Sequence, residues 1–178
     1  MQYQAFYVEN NWDTLYHPLV VERASAIELA TVLQTHTIQP AVVTVNKPFI
    51  NRPNDPFFEP KMLRDLGWDD DKIYRNIAER AKIVSQVMNT NFWYDVMGHV
   101  EGRAYLPSDL FAENREQFME LPVSTDLFFS VPENINACQQ LGFDGVIYKG
   151  MAATRDSTMI RCFRSDQTTY GEFEHLPL

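Results

Sequence analysis

Residues 142–145 read Gly-Phe-Asp-Gly and place two of the chain's seven glycines around one carboxylate, Asp144. As a helix-to-strand connection the turn needs no further purpose. Gly142 can take a positive φ at a helix end, Asp144 can bond neighbouring backbone, and Gly145 lets a strand start close to its neighbour. The sharper reading is a turn from a nucleotide-handling enzyme. It is not a phosphate loop, because neither GxGxxG nor GxxxxGK occurs. Other groups that could do chemistry are Tyr7 and Tyr16 on strands, His17 before Pro18, Asp156 in "ATRDST" and Gln167 near the end. Each also has a plain role: half-buried strand aromatics, an edge histidine, a solvated turn residue and a strand cap. Cys138 and Cys162 match no zinc or CxxC spacing, and the four histidines do not cluster, so two buried thiols and no metal site are expected.

The elements that must position these residues are legible in outline. Strands are expected over 2–9, 14–22 and 40–50, with a proline-rich loop at 51–60. Between the second and third strands, 23–35 has helical spacing, and Ser25 with Glu28 forms a capping box that starts the helix near Ser25. A long helical pattern covers 67–96, opened by Asp69 to Asp71, and a further helix covers 107–121. Residues 125–131 read as a strand. Ser130 and Glu133 form a second capping box for a helix over 132–141 that Gly142 ends, and two closing strands follow. Strands gather at the two ends of the chain, which gives an α+β fold and not a doubly wound parallel sheet. The whole is one domain, 1–178, with a helical insertion at 61–121. The aromatic cluster at 92–94 is expected to pack, with Trp93 at the seam between residues 68–121 and the strand core, and the insertion is expected to select a protein partner.

Length and composition permit a real core, with 178 residues of which 45% are hydrophobic and 13% aromatic. No apolar run reaches the ~20 residues of a membrane span, and the N-terminus lacks a signal-peptide pattern, so a cytoplasmic protein without membrane contact is expected. The formal charge of −9 opposes direct nucleic-acid binding and suits attraction to a basic protein surface.

"LGFDGVIYKG", followed by "MIRCFRSDQTTY", resembles the C-terminal half of the ADP-ribosyltransferase fold of phage and mobile-element proteins, of the polyvalent-protein or anti-CRISPR type. "LYHPLVVERASAIELATVL" and "PAVVTVNKPFI" are similar to its upstream half. The resemblance implies a split two-sheet core binding NAD as substrate, with no metal, and mono-ADP-ribosylation of a host protein in the host cytoplasm. It implies Asp156 and Asp144 as catalytic carboxylates, and Tyr7, Tyr16, His17, Ser25 and Gln167 as NAD-binding groups. The chain departs from the family pattern twice. The glutamate of the final strand would fall at Met159, and the first strand lacks the expected histidine. Those gaps support an alternative, a non-enzymatic acidic inhibitor that docks on a basic host protein.

Overall fold

The computed structural model describes residues 1–9, 18–88 and 107–177. Tyr16, His17 and Trp93 therefore lie outside the described residues. The chain divides into two compact units, Met1–Pro56 with Phe129–Leu178, and Phe57–Phe128. The expected insertion at 61–121 falls inside the second.

The first unit is built on one sheet. Its strands are β1 (Gln2–Val8), β2 (Leu19–Val20), β3 (Thr37–Thr44), β4 (Pro48–Arg52), β7 (Gly145–Lys149), β8 (Thr158–Cys162), β9 (Thr168–Tyr170) and β10 (Glu174–His175). They run in the order β10-β3-β1-β2-β8-β7-β4, with β9 also on β3. Among the described residues only β4 and β7 pair in parallel, and the other pairings in the sheet are antiparallel. The result is a mixed, mostly antiparallel α+β unit.

This sheet cannot be flat. β3 and β4 are separated by four neighbours, about 24 Å at the usual strand spacing, yet the three residues Val45, Asn46 and Lys47 join them and reach roughly 14 Å. The sheet must curl until its two sides meet. The register shows which face turns inward. Ala5, Leu19, Ala41, Val43, Val45, Ile147, Ile160 and Cys162 share one face and form a single buried cluster, with Tyr3, Tyr7 and Val21 against it. Small residues at the centre fit a tightly curled interior.

The outer face is covered in part by a helix. Helix α1 (Arg23–Val32) packs on β1, β2 and β3, where outward-turned Val8, Val20 and Ile38 are buried. Near β7 and β8, Phe129 stacks on Phe163 at 5.9 Å and meets Phe49 edge-on at 6.0 Å. The following helix (Pro132–Gln140) buries Ile135 and Cys138.

Among the described residues, the second unit pairs β5 (Phe57–Phe58) with β6 (Val123–Ser124) and its remaining regular elements are helical. Its helices are a 3-10 turn (Pro60–Leu66), α2 (Asp70–Met88), α3 (Pro107–Glu113), α4 (Arg115–Met119) and α5 (Thr125–Phe128), and the Pro132–Gln140 helix of the first unit is α6. Tyr74, Phe111 and Phe118 form its ring cluster, and Phe58 and Trp68 meet Phe128.

Several expectations are corrected. Helix α1 starts at Arg23, with Glu22 as the extended residue before it and no side-chain cap, so Ser25 lies inside the first turn and is buried. The residue before α6 is Val131, and Pro132 at its first position sets the start in place of Ser130. Residues 125–128 are a helix, not a strand. The expected 107–121 helix breaks at Asn114, whose side chain accepts the Gln117 N–H and caps α4. The expected strand over 40–50 is two strands with the bridge between them.

Candidate functional site

The Gly-Phe-Asp-Gly turn and Gln167 come together, and they do so on the bridge that lets the sheet curl. The Asp144 carboxylate accepts the Asn46 N–H and the Lys47 N–H, each at 2.8 Å. The Asp144 N–H donates to Lys47 O at 3.0 Å, and Asp144 O accepts the Phe163 N–H at 3.1 Å. Gln167 donates through Nε2 to Thr44 O and accepts the Arg164 N–H, both at 2.9 Å. Lys47 lies over the Phe143 ring at 4.5 Å and donates to Leu141 O. The bridge is held by a carboxylate, an amide and the turn itself.

Both glycines of the turn follow from this. Gly142 has φ +78°, left-handed backbone at the end of α6. A Cβ on Gly145 would lie 2.8 Å from Arg161 O and 3.4 Å from Val45, so only glycine lets β7 approach both. Asp144 is 6% exposed with both oxygens engaged by backbone amides, an arrangement that fixes the path of the bridge.

Asp156 is elsewhere. Lys149 faces Thr158 at one end of the β7–β8 pair, while Asp144 and Phe163 bond at the other. A five-residue strand separates the two carboxylates by about 15 Å. The Asp156 side chain is 85% exposed and its nearest ion partner is Arg155 at 3.8 Å. The two expected catalytic carboxylates do not share a cleft. Met159, where the family's glutamate would stand, is buried on the outer face between Val20 and Tyr148.

Of the expected NAD-binding groups, Ser25 is buried in α1 and Gln167 in the clamp. Tyr7 is half-buried on the inner face and meets Tyr170 edge-on at 6.0 Å. Burial, and then the charge of Glu9, push the Tyr7 phenol above its ordinary pKa.

One polar junction escaped the sequence reading. The Ser157 hydroxyl donates to the Glu22 carboxylate, the Glu22 N–H donates back to Ser157 Oγ at 3.3 Å, and the Thr158 N–H donates to Glu22 Oε2 at 2.8 Å. It ties the entry of α1 to the entry of β8. The two residues lie 135 positions apart, and no local pattern links them.

Cys138 and Cys162 are free and buried, and burial pushes their thiols up to about 12 and about 11 respectively. Among the described residues no cluster of His, Cys, Asp and Glu could hold a metal ion, and no helix is long and apolar enough to cross a membrane. Compared with models of protein families, with curated proteins and with solved structures, the chain matches none of them.

Proposed function

We propose that this chain is a non-enzymatic acidic binding protein that docks on a basic surface of a partner protein. The observation that carries this reading is the fate of the two carboxylates. Asp144 is occupied by the bridge amides, and Asp156 lies exposed beside Arg155 at the far end of the β7–β8 pair. General acid–base work needs a group within hydrogen-bond reach of a common substrate, and these two cannot serve one sugar. The charge of −9 remains as the feature with a use, since it draws a cationic surface by long-range attraction that salt screens.

A second reading is favoured by one observation. The Tyr7–Tyr170 ring pair, with the Glu9 carboxylate near Tyr7, is an aromatic and acidic corner on the inner face of the sheet. In a mono-ADP-ribosyltransferase such rings would hold nicotinamide and Glu9 would orient the ribose.

Nicotinamide release separates the two. Purified protein incubated with labelled NAD and host lysate is expected to give no released nicotinamide and no labelled protein. It is expected to retain a basic protein that elutes as salt rises. Release that disappears in Glu9→Gln would overturn the binding reading and establish the transferase.

A further inference from the structure

The outer side of β9 is an unfinished sheet edge. The Gly171 N–H donates to Pro40 O at 2.8 Å. Successive residues of a strand present their backbone groups to alternate sides. Gly171 and Thr169 therefore face β3, and Thr168 and Tyr170 turn outward. Pro40 has no N–H to give Gly171 O, and Gln39 Nε2 supplies that bond at 2.9 Å. The inner side of β9 is thus complete. On the outer side the Thr168 N–H is taken by Ser165 O, which leaves the Thr168 C=O and both backbone groups of Tyr170 without a strand beside them among the described residues.

Exposed edges are ordinarily blunted by short length, lysine, proline or a bulge, and of these β9 has only its length of three residues. Residues 168–173, Thr-Thr-Tyr-Gly-Glu-Phe, contain no lysine or proline, and β9 pairs with β3 without a register shift. The edge is also apolar, with Tyr170 49% and Phe173 50% exposed, and Val42 on β3 39% exposed. Its charge has one sign. Residues 165–178 carry Asp166, Glu172 and Glu174 and no lysine or arginine. Asp166 pairs with Arg164 and Glu174 with Arg23, which leaves Glu172 exposed beside the edge.

We propose that this edge receives an extended, lysine- or arginine-bearing segment of a partner protein as an added strand. Its main chain bonds Tyr170 and Thr168, its apolar side chains lie on Tyr170 and Phe173, and Glu172 meets its cations. The inference rests on the binding reading above and gives it a surface. A second copy of this chain fits less well, because it brings together two chains of charge −9.

The test uses the full chain with two short labelled peptides, one alternating lysine and valine, the other glutamate and valine. The lysine peptide is expected to bind saturably and to slow amide exchange at Tyr170, and the glutamate peptide is expected not to bind. Tyr170→Pro removes the outward N–H while sparing the Thr169 and Gly171 bonds to β3, and affinity should fall about tenfold. Glu172→Lys should weaken binding several-fold, and Tyr170→Phe, which keeps ring and backbone, should change it little. The proposal is overturned if Tyr170→Pro binds as well as the native chain, if the lysine peptide shows no saturable binding, or if a concentration-dependent dimer disappears in Tyr170→Pro. Retention of a basic lysate protein that ignores Tyr170→Pro would keep the binding reading and remove the edge from it.

Discussion

Asp144 in the curled sheet and the arginine-paired carboxylates of the helical unit do opposite work. In the curled sheet Asp144 is buried and bonded to the backbone amides of Asn46 and Lys47. In the helical unit the carboxylates lie at the surface and meet arginines. Arg64 forks onto Asp70 at 2.9 and 3.0 Å and reaches Glu116 at 3.0 Å, and Arg115 reaches Asp71 at 3.3 Å. A buried carboxylate on amides dictates one backbone path, since each N–H must find an acceptor. An exposed ion pair adds little and is screened by salt. The curled sheet is therefore sensitive to single atoms, and the helical unit relies on its ring cluster.

The largest effect should come from the clamp. Asp144→Ala leaves the Asn46 and Lys47 amides to water and should cost about 3 kcal/mol, read as faster amide exchange throughout β3, β4 and β7. A loss below about 1 kcal/mol would show that the bridge holds without it. Gly142→Ala comes next, about 1 kcal/mol, because alanine must adopt φ +78° at a helix end, where its Cβ meets only Lys47 Nζ in ordinary contact at 3.7 Å. Calorimetry on the pair of glycine variants would sharpen the comparison, since Gly145→Ala meets Arg161 O and should exceed it.

Asp70→Asn should be smallest, about 0.5 kcal/mol, and should shrink further at high salt. The hydrogen bond from Arg64, with its charge, holds the Asp70 carboxyl below its ordinary pKa. A lowered folded pKa gives stability that is present above the unfolded aspartate pKa and lost as pH falls through the folded value. Native and Asp70→Asn stabilities should therefore converge in acid. A gap that persists at the lowest pH at which both fold would assign the effect to packing.

Legibility in the sequence followed the range of the interaction. Asp69 announced the start of α2, and its side chain does accept the Lys72 N–H at 2.7 Å. Gly142 announced the end of α6. Both signals are local, three to five residues across. Ser25 and Ser130 misled because a capping pattern describes a chain end only when nothing else fixes it. Glu22 instead bonds Ser157 and Thr158, and Pro132 sets the start of α6. Residues 125–128 carry strand-forming types but coil into a helix with Thr125 and Phe128 buried, where tertiary burial overrides propensity. Asp144 and Gln167 stood out in the sequence as candidate catalytic and NAD-binding residues, and the structure places both on the bridge. That their partners would be Thr44, Asn46 and Lys47 was invisible, because no short window contains both sides of the bond.

That distance matters for the order of assembly. The amides of the bridge are made early in the chain, and their acceptor follows 97 and 98 residues later. Until it arrives, β3 and β4 have a connection but no reason to hold the tight path that joins the sheet's two sides. Contacts of such long sequence separation slow folding, because loop closure must precede their gain. Closure of the sheet is thus a late event in folding, and Asp144→Ala should speed unfolding while leaving the refolding rate almost unchanged.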